Sequence, residues 1–162
     1  MSTSATTTLR ALVTASGELI GTLTHVKTPD GHSETYHYDV GTGRLLGVDE
    51  QVAGSGGGNF SATFGYNSDG LVTDIGYPTT PGLAPVAVHH GYDGHGHLTS
   101  LQDLSKAIVP LGTFWSVTPA TATNDYDQLQ AETFGNGVST TRSYTANGSV
   151  EDIESTINGA TV

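Results

Sequence analysis

Apolar and polar positions alternate with a period of two along most of this chain, and each alternating run breaks at a glycine. In Phe60-Ser61-Ala62-Thr63-Phe64-Gly65-Tyr66 the residues Phe60, Ala62, Phe64 and Tyr66 fall on one face of an extended strand. Asn67-Ser68-Asp69-Gly70 follows, and a second apolar series then begins at Val72 and Ile75. The same phrase recurs with Tyr38, Gly43, Leu45 and Val48, with Tyr92, Gly96, Leu98 and Leu101, and with Tyr144, Gly148, Val150 and Ile153. In all four, two apolar residues stand at the second and fifth positions after the glycine. Self-similarity of this kind identifies a repeat architecture whose unit cannot bury its apolar face alone.

The phrase predicts a hairpin. Asp39, Asn67 and Asp93 open their turns with a side chain suited to a type I turn, and the glycine takes the left-handed conformation that closes a bulged hairpin. A hairpin with one apolar face is marginal in water and must lay that face on a neighbour. The predicted fold is therefore all-β: antiparallel hairpin repeats stacked into a curved sheet or partial β-shell.

The repeat tyrosines are separated by 28 residues (38 to 66), 26 (66 to 92) and 52 (92 to 144). Since 52 is twice 26, a degenerate copy is expected in the last gap, and Asp125-Tyr126-Asp127-Gln128-Leu129 is its candidate, with a shortened turn. A weak earlier copy is expected at Ser16-Gly17-Glu18-Leu19, with Val13 in the aromatic position. Five or six degenerate units then make residues 1–162 a single domain, with an irregular insertion near 102–123.

Pro29-Asp30-Gly31-His32-Ser33-Glu34-Thr35-Tyr36-His37-Tyr38-Asp39, continuing to Gly43-Arg44-Leu45, resembles the consensus of the RHS/YD-repeat family. Phe134-Gly135-Asn136-Gly137-Val138-Ser139-Thr140-Thr141-Arg142-Ser143-Tyr144 is similar to the other common form of that consensus. The resemblance spans roughly residues 13 to 155. It implies a β-ribbon that forms part of a hollow shell in large bacterial surface or secreted proteins, including toxin-complex shell components, with teneurins as animal relatives. Tyr-Asp occurs only at 38, 92 and 126 and Gly-Arg-Leu only at 43–45. The autoproteolytic core and toxin of complete family members have no recognisable counterpart. The resemblance thus points to a piece or a small relative of such a shell, secreted or on the cell surface.

Composition suits this reading: 22 glycines for turns and a thin supply of aromatics for a core. A formal charge of −11 argues against nucleic acid and anionic membranes, which call for clustered Lys or Arg. The absence of cysteine leaves the redox compartment open. Met1 to Thr8 has no basic region followed by an apolar stretch, so it does not read as a signal peptide, and no run approaches a membrane span.

Two irregular stretches are read as connections. Gly54-Ser55-Gly56-Gly57-Gly58-Asn59 is a flexible loop, since it leads into a strand and not into the Gly-Lys-Ser/Thr helix start of a phosphate cradle. Tyr77 to Pro85 is a proline-rich extended connection. Leu101 to Ile108 is expected to form one or two helical turns, and Phe114 and Trp115 to cap an apolar face.

Candidate chemistry is sparse. His89, His90, His95 and His97 form an imidazole-dense segment of the kind that binds Zn, Ni or Cu, but alternation sends His89 and His90 to opposite faces. Asn67-Ser68-Asp69-Gly70 and Asp125-Tyr126-Asp127 lack the closing glutamate of a calcium loop. None of the familiar nucleophile, zinc-protease or dinucleotide motifs is present. No cofactor and no metal are expected, and no catalytic residue is assigned. The functional expectation is a non-catalytic structural module. Its partners are further repeats or further copies, joined through strand edges into a homo-oligomer. The alternative is a surface module for a glycan or protein ligand, which asks for a row of exposed aromatics among Tyr36, Tyr77, Phe114 and Trp115. A hydrolase is the third reading and asks for a Ser, His and Asp that converge in space.

Overall fold

The computed structural model describes residues 6–9, 21–79, 82–105, 112–118 and 122–162. These residues form thirteen strands: β1 (Thr6–Leu9), β2 (Leu23–Lys27), β3 (Ser33–Tyr38), β4 (Leu45–Val52), β5 (Gly58–Tyr66), β6 (Val72–Tyr77) and β7 (Val86–Tyr92), then β8 (Leu98–Asp103), β9 (Thr113–Ser116), β10 (Ala131–Phe134), β11 (Val138–Tyr144), β12 (Val150–Ile157) and β13 (Ala160–Thr161). All thirteen belong to one sheet, and their order in the sheet is their order in the chain. Every neighbouring pair is antiparallel.

Each repeat hairpin carries the same irregularity. The register shifts by one residue at the tyrosine, so that Tyr38 pairs with Leu45, Tyr66 with Val72, Tyr92 with Leu98 and Tyr144 with Val150. In the Asn67 turn the amide of Gly70 bonds the Asn67 carbonyl at 3.1 Å, and the amide of Asn67 bonds the Leu71 carbonyl at 3.0 Å. The turns at Asp93 and Thr145 repeat both bonds, and the Asp39 turn holds them with one extra residue. Gly43, Gly70, Gly96 and Gly148 have φ between 74° and 88°, a region that disfavours any residue with a Cβ. The extra residue of the bulge is what rotates the outgoing strand so that its next two apolar residues, three apart, both face the tyrosine side.

Register sorts the side chains onto two unlike faces. Tyr36 lies opposite Val48, Val48 opposite Ala62, Phe64 opposite Ile75 and Ile75 opposite Val88, giving an apolar face. The other face carries Thr35 opposite Asp49, Asp49 opposite Ser61 and Asp74 opposite His89. No second layer covers the apolar face among the described residues. Ala122 is the sole buried apolar side chain among them; the tyrosine-face residues Tyr36, Val48, Ala62, Phe64, Ile75 and Val88 are half-buried, and Leu98, Val150 and Ile153 are exposed. The accessible surface is 10560 Å², against roughly 7,600 Å² expected for a compact monomer of 16.7 kDa. Among the described residues the core is thus a sheet layer open on one side.

Three expectations are corrected here. Leu101 to Asp103 extend β8 and are not helical, because sheet neighbours take their backbone groups: the Asp103 amide bonds the Gly112 carbonyl at 2.7 Å and the Leu104 amide bonds the Ala87 carbonyl at 2.9 Å. Leu104 and Ser105 form a bend, and the rest of that helical expectation, Lys106 to Ile108, lies outside the described residues. Tyr126 does not occupy a repeat-tyrosine position. Thr123 pairs with Leu129 as Tyr66 pairs with Val72, so Thr123 stands in the aromatic place. The turn is not shortened, since Asn124 makes the bonds of Asn67 and Asp127 takes the glycine position at φ 58°. Tyr126 is 79% exposed at its tip. Measured from Thr123 the spacings are 31 (92 to 123) and 21 (123 to 144), which sum to 52; the insertion is offset by a later deletion. The proposed earliest copy at Val13 to Leu19 lies outside the described residues. Gly21, at φ 73°, has Leu23 and Val26 at the second and fifth positions after it, and Leu9 pairs with Leu23 at a register shift.

Candidate functional site

What the repeat residues build together is a chain of hydrogen bonds that stitches each hairpin to the one before it. The Tyr66 hydroxyl donates to the Leu45 carbonyl at 2.8 Å, and Tyr92 donates to Val72 at 2.8 Å. Tyr38 donates to Leu23 at 3.0 Å and Tyr144 to Leu129 at 2.6 Å. The acceptor is in each case the residue paired with the preceding unit's own bulge position. Local turn chemistry sets the bulge, the bulge aims the ring, and the ring ties two hairpins. Phenylalanine at the same position would pack but could not tie. Arg44 adds a second tie: its guanidinium lies 5.6 Å from the Tyr66 ring centre and donates to the Asn67 carbonyl at 3.1 Å.

Turn-opening side chains cap the loops they start. One Asp93 carboxylate oxygen accepts the amides of His95 at 2.8 Å and His97 at 3.0 Å. Those amides, His97's first, hold the Asp93 carboxyl below the usual carboxylate range. Asp39 is likewise lowered, first by the Thr42 hydroxyl and then by the Thr42 amide.

The imidazole-dense segment does not form one centre. His89 bonds Asp74 at 2.8 Å on the polar face, while His90 lies opposite Leu101 on the apolar face. His95 and His97 sit in the turn with ring centres 6.1 Å apart, and His97 bonds Asp93 at 3.2 Å. Asp74 is lowered chiefly by its bond to His89. Among the described residues the group whose donor atoms converge is instead His32, Glu34 and Glu50.

A serine, an aspartate and a histidine do meet on the polar face. His37 Nε2 lies 2.6 Å from Asp49, and the Ser61 hydroxyl donates to the other Asp49 oxygen at 2.5 Å. Their order is wrong for nucleophilic catalysis, in which the imidazole must stand between hydroxyl and carboxylate to take the proton. Here the carboxylate is central, and among the described residues Ser61 is bonded to Asp49 and not to an imidazole. The two bonds, the Ser61 one foremost, lower the Asp49 carboxyl. His37 and Asp49 are more than half exposed.

One cluster escaped the sequence reading. Trp115 donates its indole N–H to Glu132 at 2.7 Å, and Arg142 donates to the other Glu132 oxygen. Glu132 is buried, and its partners come from strands on either side of β10. No local motif signals this; only the register across β9, β10 and β11 brings the three together. The row of exposed aromatics that a ligand-binding face calls for is not assembled. Tyr77 is 47% exposed, whereas Tyr36, Phe114 and Trp115 are half-buried. Outside those four, Tyr126 borders a shallow cleft of about 240 Å³ with Gln128 and Asn147.

No protein-family profile matches the chain, and no curated protein matches it. Among solved structures it is similar to one described as "Crystal Structure of TcdB2-TccC3-TEV", at 15% identity and a TM-score of 0.29. That match covers 85% of this chain and 10% of the other, so this chain spans about a tenth of that protein's length.

Proposed function

We propose that the chain is a non-catalytic structural module of the RHS/YD type, part of an extracellular or toxin-encapsulating β-shell or scaffold. The observation that carries this reading is the tyrosine-to-carbonyl tie, repeated in Tyr38, Tyr66, Tyr92 and Tyr144 and placed each time by an equivalent bulged turn. Such a device hardens a ribbon of hairpins at regular intervals and adds no reactive group. The apolar face that no second layer covers among the described residues supports it further, since a sheet layer of this kind is completed by other parts of an assembly. Its partners are further repeats or further copies of the chain, and its setting is the cell surface or the exterior.

Turnover assays separate this reading from a hydrolase. The chain is incubated with chromogenic ester, peptide and glycoside substrates beside its Ser61→Ala and His37→Ala variants. The expected result is no turnover above buffer for any of the three. Hydrolysis by the parent chain that disappears in either variant would overturn the proposal.

A further inference from the structure

We propose that His32, Glu34 and Glu50 bind a divalent transition-metal ion, with Zn²⁺ as the best-fitting case. His32 closes the turn between β2 and β3, while Glu34 on β3 and Glu50 on β4 are direct cross-strand partners. His32 Nε2 lies 3.6 Å from Glu34 Oε1 and 3.8 Å from Glu50 Oε1, and the three donor atoms all lie within 4.8 Å of one another. Zinc bonds of 2.0–2.2 Å at tetrahedral angles separate neighbouring ligand atoms by roughly 3.3–3.6 Å. The two His32 separations need to close by no more than about half an ångström, and the Glu34–Glu50 separation, at most 4.8 Å, by no more than about 1.5 Å, to seat the ion with the fourth position left to water. One imidazole and two carboxylates form a borderline-hard donor set suited to zinc.

A second observation is independent of those distances. Like charges placed directly opposite on adjacent strands are destabilising, yet Glu34 and Glu50 are so placed. Among the described residues the sole ion-pair partner of either is His32, a single imidazole set between two carboxylates. Lys27 is no remedy, because it pairs with Ser33 and so belongs to the opposite face from Glu34. A cation resolves the repulsion. The ligands are also held in place: the Tyr36 hydroxyl occupies Glu34 Oε2, leaving Oε1 toward His32, as outer-sphere partners of metal ligands do. Thr28 fixes the His32 backbone through its amide at 2.9 Å and its hydroxyl at 3.2 Å from the His32 carbonyl.

The site does not depend on the scaffold reading, and its test has a separate readout. Zinc chloride is titrated calorimetrically into the chelator-treated, tag-free chain at about pH 7.5. The expected result is one ion per chain, a rise in melting temperature with zinc, and at least tenfold weaker binding in Glu50→Gln and His32→Ala. The double variant His95→Ala/His97→Ala is expected to bind as the parent does. Glu50→Gln relieves the repulsion, so its metal-free melting temperature should hold or rise. No binding up to millimolar zinc, or binding unchanged in both Glu50→Gln and His32→Ala, overturns the proposal.

Discussion

Replacing Tyr66 by Phe removes one oxygen atom and, with it, one tie between the second and third hairpins of the described sheet. The lost bond is the 2.8 Å donation to the Leu45 carbonyl, in partly buried surroundings. A neutral hydrogen bond of this kind contributes about 0.5–1.5 kcal/mol net. In a chain of this length each kcal/mol moves the melting temperature by about 2–4 °C. The expected drop is therefore about 1–6 °C. Tyr66→Ala loses the ring as well; full burial would cost about 3–5 kcal/mol, and a half-buried ring about half of that. With the lost hydrogen bond added, the expected total for Tyr66→Ala is about 2–4 kcal/mol. Differential scanning calorimetry on Tyr66→Phe, Tyr144→Phe and the double variant measures this directly. Tyr66 and Tyr144 belong to separate ties, so their effects should add. A Tyr66→Phe protein that melts with the parent would refute the reasoning, because the hydroxyl would then contribute nothing and the ring would be ordinary packing.

Two further outcomes follow from the turns and the carboxylates. Asp127 sits at φ 58° in a position that glycine fills elsewhere, so Asp127→Gly should raise stability by up to about 1 kcal/mol and Asp127→Val should lower it, read by chemical denaturation. Asp49, Asp74 and Asp93 have carboxyls held below their ordinary value by hydrogen bonds. Their contribution is complete above the unfolded value of about 3.9 and is lost as pH falls through the lower folded values. Melting temperature should therefore decline on acidification below about pH 4, and less steeply in Asp74→Asn; an acid limb of equal slope in that variant would count against the His89 bond.

The turns were the most legible part of the fold, because a turn is a local contract between a capping side chain and a left-handed glycine. The fixed step from Gly43 to Leu45 and Val48 carried over to the strands and the bulge in all four tyrosine units. Legibility failed where chemistry was borrowed. Asp127 substitutes for glycine and Thr123 for tyrosine, so the fifth turn carries neither repeat residue, and Tyr126 mimics the Tyr-Asp phrase in a place where its ring is exposed. Leu101 to Ile108 has no strand signature of its own; partners distant in sequence recruit Leu101 to Asp103 into the sheet. The Glu132 network and the His32, Glu34, Glu50 group are products of register. A sequence shows that Glu34 and Glu50 exist, and only the bulge at Tyr38 sets them opposite each other.

On the proposed scaffold reading, this sheet is a part to be covered and joined. Among the described residues β1 pairs only with β2 and β13 only with β12, and the tyrosine face carries no second layer. A charge of −11 opposes association of like copies, but that repulsion is screened within about 8 Å at physiological ionic strength. Multi-angle light scattering of the purified chain across a salt and concentration series is the most direct measurement. The account predicts a mass above 16.7 kDa that grows with both concentration and salt; a strict monomer under every condition would contradict it.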